Sequence, residues 1–258
     1  MIGSEGVHLT SNARHLAAGK IMVALDVYEA AEARRLVESL KGIPCWMKVG
    51  LQLFYSAGPD FVRTLKEAGY RVFLDVKMHD IPNTVKGGAG SVTRLGVDMF
   101  NVHAAGGLKM MQAAMEGVDE AIASGSSPFS ASADERPLVI GVTQLTSTSQ
   151  TMLNNEIGIG GTVEDAVLRY AELSAQAGLD GVVASPLEVP AIKRRCGSSF
   201  VTVTPGIRPA GSAVGDQARV MTPSEAFAQG TDYIVIGRPI TSAPDPRSAL
   251  ESILEELV

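Results

Sequence analysis

Short apolar runs alternate along this chain with longer amphipathic stretches, and polar or glycine-containing turns separate them. An apolar run of four to eight residues bounded by turns is typical of a buried strand, whereas apolar residues three or four apart are typical of a helix packed on one face. The pattern predicts eight strands, over residues 20–26, 44–50, 71–77, 98–102, 137–143, 180–183, 200–204 and 232–237. It predicts eight helices, near 28–41, 59–68, 82–95, 107–123, 162–177, 187–195, 222–228 and 245–257.

This strict alternation favours an α/β fold, a closed (β/α)8 TIM barrel that forms a single domain over residues 20–258. A dinucleotide-binding sheet would need fewer strands and a glycine-rich first turn, but the first strand here runs into Asp26-Val27-Tyr28. Residues 1–19 carry no packing pattern and are interpreted as an N-terminal leader segment. Residues 124–136 are the least regular stretch and are interpreted as a solvent loop or an extended helix end.

Charged residues stand near the carboxyl ends of the first three predicted strands, where barrels of this class place their functional groups. Because side chains alternate along a strand, Asp75 and Lys77 share the inward face with Phe73. The same parity places Asp26 and Lys48 inside the barrel. We expect these four charged side chains to form an array in which each ammonium keeps its carboxylate neighbour ionised. A purely structural layer of ion pairs is the alternative.

A second polar group follows the last two predicted strands, in Thr204-Pro205-Gly206-Ile207-Arg208 and Gly237-Arg238. The seventh and eighth loops of such barrels frequently bind phosphate, because glycine lets backbone N–H groups approach an anion and arginine supplies a forked donor. We expect both arginines to hold a phosphate group. The loop from Pro209 to Gln217 is expected to close over the site as a lid. A surface turn is the alternative for a lone Gly-Arg pair.

Composition narrows the classes of function. The net charge of −6 argues against nucleic-acid binding and requires local positive charge to hold an anionic substrate. Cys45 and Cys196 lack metal-ligand spacing and are interpreted as buried or half-buried thiols of a reducing, cytoplasmic compartment. We identify no membrane span and no export signal. His79 and His103 are interpreted as supporting a turn or the site, not as metal ligands.

Together these motifs resemble the orotidine 5′-monophosphate decarboxylase family, in its bacterial, monofunctional form. The resemblance covers nearly the whole chain after about residue 20. Its motifs are Ala24-Leu25-Asp26, Met47-Lys48-Val49-Gly50, Asp75-x-Lys77-x-x-Asp80-Ile81-Pro82-Asn83-Thr84, Leu145-Thr146-Ser147, Thr204-Pro205-Gly206-Ile207-Arg208 and Gly237-Arg238. A wider set of phosphate-binding barrels shares the Asp-x-Lys-x-x-Asp core, whereas Ile-Pro-Asn-Thr and Thr-Pro-Gly-Ile-Arg are far more specific.

The resemblance implies decarboxylation of orotidine 5′-monophosphate to uridine 5′-monophosphate and CO2, in de novo pyrimidine biosynthesis. It implies that Lys77 gives the proton to C6 of the pyrimidine, within a catalytic tetrad that also contains Lys48, Asp75 and Asp80. It implies that the remaining substrate-binding residues are Asp26, Ile81, Thr84, Thr146, Pro205, Arg208, Gln217, Gly237 and Arg238. No metal or other cofactor is expected.

The resemblance also implies a homodimer whose two active sites are shared. Asp80, Ile81 and Thr84 would then reach into the site of the partner subunit. Two alternative functions remain open. Ketogulonate-phosphate decarboxylases and hexulose-phosphate synthases resemble this chain in barrel and core motif, but they act on sugar phosphates with Mg2+. A catalytically silent nucleotide-binding barrel is the other alternative, and the complete Lys/Asp set speaks against it.

Overall fold

Eight parallel strands form a closed barrel in which each strand pairs with the next along the chain and the last pairs with the first. The computed structural model describes residues 12–125, 128, 136–209 and 221–258. The strands are β1 (Ile21–Ala24), β2 (Trp46–Gly50), β3 (Arg71–Met78), β4 (Met99–His103), β5 (Leu138–Val142), β6 (Gly181–Val183), β7 (Val201–Thr204) and β8 (Tyr233–Ile236). The predicted (β/α)8 fold class is confirmed, and every predicted strand overlaps an observed one.

Helices follow the strands and surround the barrel. Residues 12–18 are helical and are called α1. The helices after it are α2 (Ala30–Ser39), α3 (Leu51–Glu67), α4 (Pro82–Leu95), α5 (Leu108–Ala123), α6 (Val163–Gln176), α7 (Val189–Cys196), α8 (Pro223–Ala228), α9 (Arg238–Thr241) and α10 (Pro246–Glu256). A 3-10 turn at Ala104–Gly106 and a π-helical turn at Met152–Glu156 complete the set of described helical segments. Each predicted helix overlaps an observed one.

The largest difference from the predicted helices lies in α3. The helix begins at Leu51, directly after β2, and not near residue 59. Gly58 has a positive φ of 68° that interrupts the helix, and Pro59 begins its second part. Proline suits the first turn of a helix, so the sequence pattern marked only this second start. Within the irregular stretch 124–136, residues 126–127 and 129–135 lie outside the described part of the chain.

Alternate residues of the strands face two separate cores. The inward core consists of Met22, Ala24, Trp46, Phe73, Met99, Ile140, Val203 and Val235. Their neighbours, such as Val23, Leu74 and Ile236, pack outward with the buried faces of the helices. The predicted parity of the first three strands is therefore confirmed. Because apolar side chains fill the middle of the barrel, polar groups gather at its ends.

The amino end of the barrel is covered by α1 and the turn after it. The indole Nε1 of Trp46 donates a hydrogen bond to the carbonyl oxygen of Gly19 at 2.9 Å. Tyr233 meets the same indole edge-on, with 5.4 Å between the ring centroids. Ala18 is fully buried. The described part of the predicted leader thus packs against the barrel, while residues 1–11 lie outside the described part.

Predictions about the two cysteines and about membrane spans can also be compared with the structure. Cys45 is buried and Cys196 is half-buried, both with free thiols, as predicted. Burial raises the pKa of the Cys45 thiol to about 12, against a backbone hydrogen bond that lowers it. None of the helices in the described ranges has both the length and the apolar character that a membrane span requires.

Candidate active site

Four charged side chains form a continuous array at the carboxyl ends of the first three strands. Lys48 Nζ lies 2.7 Å from Oδ1 of Asp26 and 3.7 Å from Oδ2 of Asp75. Lys77 Nζ lies 2.7 Å from the other carboxylate oxygen of Asp75. The signs therefore alternate along the sequence Asp26, Lys48, Asp75, Lys77, and the predicted convergence of these four groups is confirmed. We call this set the charged array.

The backbone around Lys48 leaves room for these charges. Lys48 points inward from β2 and is buried, whereas Asp26 follows β1 and is half-exposed. Gly50 stands two residues after Lys48, on the same side of β2. A Cβ on Gly50 would lie 2.9 Å from Oδ1 of Asp26 and 3.0 Å from Nζ of Lys48. A side chain at position 50 would therefore displace this ion pair.

The end of β3 departs from regular strand geometry. Leu74 pairs with Phe100 of β4, but the next pair joins Met78 to Val102, so β3 advances four residues while β4 advances two. This bulge contains Lys77, which has a positive φ of 48°. Such a conformation is uncommon for a residue with a side chain and is found mostly where tertiary contacts impose it. Asp75 and Lys77 thus meet on the inward side within this bulge.

Asp75 is held as a carboxylate by its surroundings. Burial acts to raise the pKa of Asp75, but the charges of Lys48 and Lys77 lower it, as do hydrogen bonds from Lys77 and Asn101. The balance places the pKa of Asp75 below its ordinary value of 3.8. The site therefore contains a buried anion between two ammonium groups at neutral pH.

A cavity of about 720 Å³ opens at this end of the barrel. The charged array lines one part of it. The lining residues that follow β5, β7 and β8 include Thr146, Pro205, Gly206, Arg208, Gly237 and Arg238. Arg208, which is buried, and Arg238, which begins α9, both line the cavity from adjacent loops. The arrangement suits a molecule with an anionic end and a polar ring.

His79 and His103 lie beside the charged array and stack on each other, with 5.4 Å between ring centroids. Burial lowers the pKa of His103, and the charges of His79 and Lys77 lower it further. This contact could not be predicted from the sequence, because the two residues belong to different βα units. Among the side chains that the structure describes, no group of three or more histidine, cysteine or acidic residues is arranged to hold a metal ion.

A family profile described as "Orotidine 5'-phosphate decarboxylase / HUMPS family" matches residues 19–253. This match covers most of the chain, including every strand of the barrel. The chain belongs to this family.

Curated relatives in this family are similar over nearly their whole length. The chain is 52% identical over 251 residues to the "Orotidine 5'-phosphate decarboxylase" of Moorella thermoacetica, which covers 97% of each protein. It is 50% identical over 236 residues to the protein of that name from Bacillus mycoides, covering 92% of this chain and 96% of the relative.

Two solved structures match this barrel over most of the chain. The orotidine 5′-phosphate decarboxylase of Lactobacillus acidophilus matches with a TM-score of 0.78 at 40% identity, covering 92% of this chain and 98% of that one. An uncharacterized conserved protein of Geobacillus kaustophilus matches with a TM-score of 0.79 at 43% identity, covering 92% of this chain and all of that one.

Three of the predicted site residues do not line the cavity of the single chain. Asp80, Ile81 and Thr84 are exposed at the junction of β3 and α4. The Asp80 carboxylate accepts a hydrogen bond from the N–H of Ile81 at 2.7 Å. Ile81 keeps 67% of its surface exposed. Gln217 and residues 210–216 of the predicted lid lie outside the described residues.

The structure also brings residues to the site that sequence reasoning missed. Gln52, Gln144 and Tyr28 line the cavity. Asn101, which is fully buried in β4, donates a hydrogen bond from Nδ2 to Asp75 Oδ1 at 2.7 Å. The presence of an asparagine inside an apolar strand could have identified Asn101 as a site residue, because a buried amide requires hydrogen-bonding partners.

Proposed function

We propose that this chain decarboxylates orotidine 5′-monophosphate to uridine 5′-monophosphate and CO2, without a cofactor, in pyrimidine biosynthesis. The observation that carries the proposal is one cavity with the charged array on one wall and Arg208 and Arg238 on another. Membership of the family and the names of relatives that are about half identical support the same activity.

The cavity suggests how the nucleotide lies. Its phosphate group is held by Arg208 and Arg238, because forked donors match phosphate oxygens. Its ribose hydroxyls meet Asp26 and Lys48, and Thr146 meets the edge of the pyrimidine. This orientation brings C6 of the pyrimidine, with its carboxylate, to Lys77. A cavity of about 720 Å³ is within the range of small-molecule sites.

The chemistry follows from the charge that forms at C6. When the bond between C6 and the carboxylate breaks, CO2 leaves and the bonding electron pair stays on C6. The ammonium of Lys77 stabilises this negative charge and then gives its proton to C6, which leaves a neutral amine. Asp75 holds the Lys77 ammonium in place by an ion pair of 2.7 Å. The ionised Asp75 also lies close to the substrate carboxylate and repels it, which raises the energy of the bound substrate.

We extend the proposal to the assembly of the enzyme. The exposed group Asp80, Ile81 and Thr84 contacts the active site of a second subunit in a homodimer, where Asp80 completes the tetrad. Gln217, within the loop 209–217, closes over the phosphate and the base. Residues 20–258 act as a single catalytic domain in the cytoplasm. Asp80, Ile81 and Thr84 are all exposed on the single chain, so this group is accessible to a partner subunit.

The decisive experiment mixes the purified protein with orotidine 5′-monophosphate and follows the loss of the absorbance of the orotate ring, with and without EDTA. We expect rapid loss that EDTA does not change. Loss that requires Mg2+, or turnover of sugar phosphates only, would favour the sugar-phosphate branch of the family. Binding of the nucleotide without any turnover would favour a silent nucleotide-binding barrel.

A further inference from the structure

A buried amide lies directly behind the acidic centre of the charged array. Asn101 is the middle residue of β4 and has no exposed surface. Its Nδ2 donates to Oδ1 of Asp75 at 2.7 Å, and its Oδ1 accepts from the backbone N–H of Lys77 at 2.7 Å. One side chain thus holds both members of the ion pair that faces C6 in the proposed mechanism.

The bulge of β3 explains why this contact exists. Between the pairs Leu74–Phe100 and Met78–Val102, three residues of β3 lie opposite the single residue Asn101. The side chain of Asn101 reaches the Lys77 N–H within this irregular stretch. Lys77 has a φ of 48° there, a backbone conformation that requires support from its surroundings.

The chemistry of the two contacts selects asparagine. The Lys77 N–H needs an acceptor, whereas the Asp75 carboxylate needs a donor. A carboxamide presents both from one planar group, and the two partners fix which end is oxygen and which is nitrogen. Aspartate would offer no donor to Asp75, and alanine would offer neither contact. Buried polar groups with this degree of satisfaction make the local structure rigid.

We propose that Asn101 is a positioning residue that holds Asp75 and Lys77 in the geometry required for decarboxylation. It does not line the cavity, so it acts through these two residues. The inference rests on the proposed function, since it assigns Asn101 a part in bringing the Lys77 ammonium to C6. Misplacement of a catalytic group by about 1 Å can cost about 100-fold in rate.

The test compares wild type with Asn101→Ala and Asn101→Asp, and measures kcat and KM for orotidine 5′-monophosphate across pH. For Asn101→Ala we expect kcat to fall about 10- to 100-fold while KM changes less than about threefold, because Asn101 does not contact substrate. In the pH profile of kcat, the fall on the acidic side (the acid limb) should move to higher pH, because Asp75 loses a hydrogen bond that favours its charged form.

Both variants keep the other charged and titratable groups that face Asp75. They are Lys48 from β2 and Lys77 from β3, with Asp26 beyond Lys48 and His103 of β4 near Lys77. Asn101→Asp keeps an acceptor for the Lys77 N–H but replaces the donor with a like charge. Its acid limb should therefore move further than that of Asn101→Ala.

The matched control is Thr202→Val on β7. Thr202 is also fully buried, and its Oγ1 donates to Asp232 at 3.0 Å, away from the cavity lining. This nearly isosteric change removes a buried hydrogen bond to a carboxylate. We expect it to lower the melting temperature but to leave kcat and the acid limb unchanged. Assays are run at a temperature where circular dichroism shows every variant folded.

The outcomes separate the inference from the proposed function. A wild-type protein without turnover would refute the proposed function before any variant is compared. An active wild type, with Asn101→Ala unchanged in kcat and pH profile, would refute the role of Asn101 alone. Equal effects in Thr202→Val, or failure of both Asn101 variants to fold at any temperature, would make Asn101 a structural residue and overturn the inference.

Discussion

Lys77 combines an uncommon backbone conformation with a paired ammonium at the mouth of the barrel. Its φ is 48°, and its Nζ lies 2.7 Å from the buried carboxylate of Asp75. A conformation of this kind costs free energy, so the contacts around it must hold it in place. The charge and the inward face of Lys77 follow from the sequence pattern. The φ of Lys77 and its backbone hydrogen bond to Asn101 cannot be predicted in this way, because both depend on the register between β3 and β4.

Replacing Lys77 with alanine should nearly abolish turnover while the barrel stays folded. The variant loses both the charge that stabilises C6 and the proton that C6 receives, so we expect kcat to fall at least about 1,000-fold. Steady-state kinetics with orotidine 5′-monophosphate measures this. Lys66→Ala is the matched control, because Lys66 pairs with Asp98 outside the cavity lining and should keep normal kcat. Activity of Lys77→Ala within tenfold of wild type would remove Lys77 from its role.

Asp75 should also make folding stability depend on acidic pH. Its folded-state pKa lies below the ordinary 3.8, so the native state favours its charged form. This contribution to the free energy of unfolding is fully present above about pH 4 and is lost as pH falls through the folded-state pKa. Asp75→Asn should therefore show a shallower fall of stability below pH 4, by at most about 1.4 kcal/mol per pH unit.

Urea unfolding at a series of pH values from neutral to acidic measures these slopes. Asp60→Asn is the control, because the carboxylate of Asp60 is exposed and lies on the surface of α3. Identical slopes for wild type and Asp75→Asn below pH 4 would contradict a native carboxylate held between two ammonium groups.

Among the secondary-structure elements, the repeated strands and helices can be predicted from the sequence pattern, whereas the irregularities within single elements cannot. The eight strands and their inward faces follow from alternation, because burial of one face is a local property of each segment. The break at Gly58 in α3 and the bulge in β3 depend on packing between neighbouring elements. Sequence also predicted that the loops after β7 and β8 meet, because consecutive strands of a barrel place their loops side by side.

Arg238 follows β8 and is proposed to bind the phosphate group of the nucleotide. Arg238→Ala should lower kcat/KM for orotidine 5′-monophosphate by about 100-fold or more, because a forked donor to the phosphate is lost. The reaction of orotidine, which has no phosphate, should barely change. Arg247→Ala is the control, since Arg247 pairs with Glu251 on the outer helix α10. Equal losses with both substrates would contradict a phosphate-binding role for Arg238.

At the scale of the whole molecule, a protein with a net charge of −6 collects positive charge where the nucleotide is proposed to bind. Lys48, Lys77, Arg208 and Arg238 all line one cavity. Asp80, the fourth member of the proposed tetrad, is exposed on the single chain and outside that cavity. The charged array of one chain is therefore proposed to need a carboxylate from another, and sequence alone cannot show this because subunit contacts leave no local periodicity.

Mixing two inactive variants tests this sharing of sites. Lys77→Ala and Asp80→Ala should each be inactive as homodimers. After unfolding and refolding together in equal amounts, about half of the dimers contain one subunit of each kind. In such a dimer one site has Lys77 from the Asp80→Ala subunit and Asp80 from the Lys77→Ala subunit, while the other site lacks both. Activity should therefore return to about a quarter of the wild-type value per subunit.

The control replaces the Asp80→Ala partner with the double variant Lys77→Ala, Asp80→Ala, which cannot build an intact site with Lys77→Ala. That mixture should stay inactive under the same refolding protocol. If the first mixture also stays inactive while size-exclusion chromatography shows dimers, Asp80 acts within its own chain. The loop between β3 and α4 would then have to fold back toward the cavity during the reaction.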